Sequence, residues 1–225
     1  MTMWRPLCTL PLALALFSPY GAALAQTFKF SAAEEAQKKE QADKQAVQDA
    51  KVQDMLAAPC LEKIKNKKIV VLVGESRNGV TQASQGSYSA HFDAINSRLR
   101  KLGLRTYTQA QIRAQIAQAE IDAFFRNDPD AALSASRRLS AQYMIRGLIS
   151  TQASRNAVVN LNQVHVGMDF TLSGGNGRVV SQARVENASY AGADISGVAL
   201  TLIEERADEV VAKLYSDYCR KEGSR

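Results

Sequence analysis

The chain has 225 residues and a formal net charge of +6, which is length enough for one domain with a real core plus an extension. So small a basic excess is mostly a statement about solubility, although it favours weak contact with anionic lipids, cell-wall polymer or acidic partners. Only two histidines and three cysteines are present; the histidines are distant in sequence and two of the cysteines are expected to pair with each other, so no metal or other cofactor is expected.

Met1 to Arg5 make a short basic start, Leu7 to Phe17 an apolar run, and Ala23-Leu24-Ala25 a small-x-small cleavage site before Gln26. That layout is a secretory signal peptide, and it predicts export to a bacterial periplasm. The run is short and broken by Pro6, Pro11 and Pro19, so no transmembrane segment is expected in the mature protein. Cys8 lies inside the leader. Gln26 stands where a lipidated cysteine would follow the apolar run, so the mature protein is expected to carry no lipid. Cys60 and Cys219 remain as an even pair in an oxidising compartment. A disulfide between them is expected, with two buried thiols as the alternative.

Residues 26–59 read as a polar helical extension or linker. From Glu34 to Asp54 strong helix formers follow one another, and Val47, Met55 and Leu56 are spaced too irregularly for a heptad seam. Pro59 ends it. A single α/β domain is expected over 60–219, followed by a tail over 220–225. Ile69 to Val73 is a continuous apolar run, the mark of a central strand buried on both faces. Phe92, Ile95, Leu99 and Leu102 follow helical spacing, with Gly103 placed as a C-terminal cap. Leu104–Tyr107 reads as a short strand. Thr108 with Gln111 forms a capping box that opens one helix carrying Ile112, Ile116, Phe124 and Phe125. Asp128-Pro129 starts another, ending near Leu139.

The period then changes to two. Tyr143, Ile145 and Ile149 begin the change, and Val164 to Leu172 alternates apolar and polar residues strictly, with His165 on the wet side. Gly174-Gly175-Asn176-Gly177 supplies a hairpin turn. The returning strand is expected to put Val179, Ser181, Ala183 and Val185 on one face and Gln182, Arg184 and Glu186 on the other. Asp194 caps a final helix whose inner stripe ends at Cys219, while Glu204, Glu205, Asp208, Glu209 and Lys213 cover its outside. A mixed, largely antiparallel sheet with packed helices, a layered α/β (α+β) sandwich, satisfies this order.

Chemistry is harder to find. Gly74 to Thr81 has the glycine spacing of a phosphate-binding loop, but Val80 replaces the lysine that such a loop needs, so it reads as a strand-to-helix loop. A Ser–His–Asp triad can be drawn from Ser87 or Ser89 with His91, yet no nucleophile-elbow sequence surrounds either serine. His165 and Asp169 share a strand face about 13 Å apart by strand rise. Arg98, Lys101 and Arg105 near one helix end, with Arg137 and Arg138 on another, form a candidate anion or partner patch. They also answer helix macrodipoles. No aromatics interleave them, and nucleic acid is not expected as a partner.

Lys68 to Val73, Leu139 to Ile149 with its alternation Leu-x-Ala-x-Tyr-x-Ile-x-Gly-x-Ile, the long hairpin and the capped last helix together resemble one superfamily of envelope proteins. It contains the curli-secretion lipoprotein (CsgG-like), the lipoprotein activator of penicillin-binding proteins, and the amino-terminal domain of the translocation protein TolB. The resemblance covers residues 68–219. It implies a non-enzymatic module that docks to other envelope proteins, and it carries over no catalytic residue. The missing lipidation cysteine departs from an outer-membrane anchor, and no extra amphipathic strands suggest a pore. The function expected is therefore an interaction or assembly accessory working through a sheet edge, the Ser84–Tyr88 loop or the basic patch. The alternative is a periplasmic hydrolase with its nucleophile within Ser76–Ser89.

Overall fold

A computed structural model of the chain describes residues 30–77, 80–86, 89–158 and 160–222. The expected leader and its cleavage point, Cys8, Ser87 and Tyr88 lie outside these. The chain runs α1 (Phe30–Leu56), α2 (Leu61–Ile64), β1 (Lys68–Arg77), β2 (Val80–Gln82) and α3 (Ser89–Lys101). It continues through β3 (Arg105–Thr106), α4 (Gln109–Gln115), α5 (Gln118–Phe125) and α6 (Pro129–Leu139). Three long strands follow, β4 (Tyr143–Asn156), β5 (Leu161–Gly174) and β6 (Val179–Ala191), and α7 (Ile195–Lys221) comes last.

Residues up to Ala42 form one unit and Asp43–Arg225 another. Within the first, residues 30–42 are helical and 35–42, which include no large apolar side chain, are exposed.

Ile69 to Val73 are each no more than 3% exposed, so β1 is buried on both faces as its unbroken apolar run predicts. The sheet order is β2-β1-β4-β5-β6, with β3 also on β1. β1 runs parallel to β4 from Ile69 opposite Tyr143 to Ser76 opposite Ser150, and parallel to β3 at Lys68 and Ile69. Every other pairing is antiparallel. The result is a mixed, open α+β sheet. On one face α3 and α7 bury Leu99, Val211 and Leu214 against Ile69, Ile145 and Leu172. On the other, α5 and α6 lie over β1 and the start of β4, where Phe125 crowds Gly74.

Several expectations need correction. The helix expected from Thr108 to Phe125 is two helices. The Thr108–Gln111 capping box is present, but Ile116 and Ala117 are extended, which swings Ile116 into the core at 2% exposure. The strand expected over Leu104–Tyr107 pairs only at Arg105 and Thr106. The supposed strand-to-helix loop after Gly74 is a hairpin, because β1 continues to Arg77 and turns back into β2. On β6, Val179 is exposed and Val180 buried: a register irregularity between Leu172 and Ser173 shifts the alternation by one. Glu209, expected on the outside of α7, is 7% exposed. It accepts from Lys51 Nζ at 3.0 Å and pairs with Arg206 at 2.5 Å. The second half of α1 is accordingly not solvated all round, and Val52 is 6% exposed.

Candidate interaction face

Strand alternation puts every second residue of β4, β5 and β6 on the face away from α7. Read across the three strands, that face carries the rows Arg146–Thr171–Gln182, Leu148–Asp169–Arg184, Ser150–Gly167–Glu186, Gln152–His165–Ala188 and Ser154–Gln163–Tyr190. On β6, the exposed residues are Gln182, Arg184, Glu186, Ala188 and Tyr190; on β4 and β5 they are Gln152, Ser154 and His165. The polar members of this alternation were legible in sequence. That no described element lies over them was not, since α5 and α6 stop over β1 and the start of β4.

Charge on the face is self-neutralising. Arg184 pairs with Glu186 at 3.0 Å and with Asp169 at 3.7 Å. In so exposed a setting these pairs fix geometry more than they stabilise. Arg146 marks the border with the helix-covered part. Its guanidinium donates to Asn127 Oδ1 and sits 5.9 Å from the Phe124 ring centroid, and burial lowers its pKa. Ser150 Oγ donates to the Gly167 carbonyl at 3.4 Å, and a Cβ at Gly167 would stand 2.7 Å from that hydroxyl. Beyond Ser150, β4 outruns β1, so residues 151–156 with β5 and β6 form an arm. Such a surface offers hydrogen bonds, a charge pair and a strand edge. Among the described residues no group of three or more His, Cys, Asp and Glu is placed to hold a metal.

Among the described residues of the hydrolase alternative, Ser76 and His91 lie on opposite sides of β1. Glu75, 9% exposed, faces the α3 side of β1, and His91 on α3 feels its charge. Burial lowers the His91 pKa, and Glu75 pulls it back only in part. Ser76 is the next strand residue and lies on the opposite face. Ser84 is exposed beyond β2, Ser87 is outside the described residues, and Ser89 opens α3. His165 is exposed, as expected.

Cys60 and Cys219 form a disulfide with Cα atoms 5.6 Å apart. Of the basic residues singled out, Arg98 is engaged within the fold. It donates to the carbonyls of Ala94 at 2.7 Å and Glu204 at 3.1 Å and pairs with Asp208 at 2.8 Å, which ties α3 to α7. Arg138 lies 3.7 Å from Glu120. Lys101, Arg105 and Arg137 are exposed. Sequence reasoning missed Lys65, Lys67 and Lys68, whose neighbourhood with Arg105 needs the β1–β3 pairing. It also missed Gln85, a polar side chain at 1% exposure with nothing in its surroundings in sequence to mark it.

No protein-family model matches the chain, and no curated protein matches it. Among solved structures, the chain is similar to a hypothetical protein from Chlamydia trachomatis, at 14% identity and a TM-score of 0.44 over 69% of this chain and 99% of that one. It is similar to the PelC dodecamer from Paraburkholderia phytofirmans, at 22% identity and a TM-score of 0.39 over 67% and 88%. The LpoB C-terminal domain from Salmonella enterica gives 15% identity and a TM-score of 0.36 over 58% and 93%. Likenesses of this size assign the chain no function.

Proposed function

We propose that this chain is an exported periplasmic protein that works without catalysis, as an interaction or assembly accessory for an envelope protein. The observation that carries this reading is the open polar face of β4–β6. Among the described residues, a sheet that is covered on both sides around β1 leaves its last three strands bare on one side, with hydrogen-bonding side chains in register and an unpaired edge at β6. An unpaired edge beside a flat polar face suits the addition of a partner's strand or the docking of its loop. The leader pattern and the cysteine pair support the compartment. No described helix is long and apolar enough to cross a membrane.

The test is site-specific photo-crosslinking in the native host. A photoreactive residue at Gln152 or His165 is expected to trap one discrete envelope protein, and the same residue at Glu204, on the exposed side of α7, is not. The isolated pair should then bind with a Kd that Gln152→Arg raises by at least about ten-fold, the effect of a mismatched charge in a contact. Adducts only at Glu204, or hydrolysis of an ester or cell-wall substrate by the purified chain, would overturn the reading.

A further inference from the structure

The fold gathers positive charge at one end, and the gathering is fixed by backbone contacts between segments far apart in sequence. Arg105 N–H donates to the Lys67 carbonyl at 2.9 Å, and Asn66 N–H to the Gly103 carbonyl at 2.9 Å. Gln142 N–H donates to the Lys68 carbonyl at 2.9 Å, and Gly175 N–H to the Gln142 carbonyl at 2.8 Å. The Tyr107 hydroxyl donates to the Leu139 carbonyl, which brings the end of α6 to the same place. Lys221 Nζ reaches the Val180 carbonyl at 2.8 Å, which brings the end of α7. The start of β1, all of β3, the β5–β6 turn and the C-termini of α3, α6 and α7 therefore share one end.

Among the described residues, the carboxylates of α2 and of the end of α7 are already paired: Glu62 with Lys65 at 3.6 Å, Asp217 with Arg220, and Glu222 with Arg178. Lys67, Lys68, Arg100, Lys101, Arg105 and Arg137 have no ion pair among the described residues. Cations in the last turn of a helix answer the carbonyl end of its dipole, which accounts for Arg100, Lys101 and Arg137. It does not account for Lys67, Lys68 and Arg105, which stand on β1, on β3 and in the loop before β1. Six unpaired cations thus stand where they can act together, on a chain whose formal net charge is only +6.

We infer that this basic end docks on the surface of an anionic phospholipid bilayer. The ligand chemistry is the phosphodiester headgroup: unpaired ammonium and guanidinium groups on separate segments meet a laterally extended sheet of negative charge, and no apolar insertion is needed. The inference goes beyond the sheet-face reading and does not depend on it. A bilayer-bound molecule would keep its β4–β6 face and the arm beyond Ser150 free, since the arm leaves from the opposite end of β4.

Vesicle co-sedimentation of the leader-free exported chain tests this. Vesicles of phosphatidylglycerol mixed with phosphatidylcholine are expected to bind the protein and phosphatidylcholine alone is not, with binding lost at roughly 0.5 M salt, where charge is screened within a few ångströms. Lys101→Gln/Arg105→Gln/Arg137→Gln should weaken partitioning by about 100-fold, given the contribution of each basic residue at such a surface. Arg155→Gln, on the far arm, should leave it unchanged, and a thermal melt shows that each variant is folded. Equal binding to both kinds of vesicle, or a folded triple variant that binds like the parent, would overturn the inference. Binding to purified cell-wall sacculi but not to anionic vesicles would do so too, by giving the same charge a different partner.

Discussion

Gln85 acts as a strand residue without belonging to a strand. Between β3 and β2 the outer edge of β1 has no neighbouring strand among the described residues. There the Gln85 Oε1 accepts from the Val73 N–H at 3.2 Å, and its Nε2 donates to the carbonyls of Val73 and Ala83, both at 2.8 Å. At 1% exposure water does not replace those bonds. Gln85→Leu would keep the volume and strand the buried backbone groups, so it should lower unfolding free energy by about 2–4 kcal/mol in a urea titration. A loss below about 0.5 kcal/mol would mean the segment rearranges to satisfy them. Sequence marks such a residue poorly, because a glutamine in a turn reads as surface until the edge it completes is known.

Among the elements, α7 carries the domain's closure. It packs along β5 and β6, is joined to α3 through Arg98, and is tied to the chain before α2 by the disulfide and by the Tyr215 hydroxyl, which donates to the Ala58 carbonyl. The bond closes a loop of sequence separation 159, so Cys60→Ser/Cys219→Ser should cost roughly 3–5 kcal/mol by loss of the constraint on the unfolded chain. Thermal unfolding of the variant should match that of the parent protein in reductant. An unchanged melting temperature in both would show that the helix contacts alone hold this end. Here the cysteine pair and the inward stripe of α7 were readable from sequence. The break at Ile116–Ala117 was not, since the capping box and the helical spacing on either side are the same for one helix as for two.

At the scale of the whole molecule, stability should fall in acid by two separable limbs. Burial depresses the His91 pKa below its ordinary 6.5. The unfolded chain therefore takes up a proton that the folded one resists, and stability present above pH 6.5 declines as pH drops through it. Burial pushes the Asp217 carboxyl up, but the Ser181 hydroxyl, Arg220 and Lys213 outweigh it and hold it below the ordinary 3.8. Its contribution is present above that pH and is lost as pH falls through the depressed value. Denaturation midpoints measured from pH 8 to 3 should show both declines, and His91→Gln should flatten the first while leaving the second. A parent protein with no loss between pH 7 and 5 would contradict the placement of His91.

The sequence by itself determined the long strands and most helices, because periodicity, caps and turn glycines are local properties of the chain: the buried run at Ile69–Val73, the alternation of Val164–Leu172, the Asp194 cap and the positive φ of +80° at Gly177 all follow from neighbours, whereas β2 does not. It also supplied the cysteine pair. Tertiary structure alone decided which polar face the described helices leave uncovered, that Arg98 has an ion pair while Lys67 has none among the described residues, and that cations from β1, α3, β3 and α6 share one end. Those outcomes depend on which segments meet, and burial and charge density are set by residues that lie far apart along the chain.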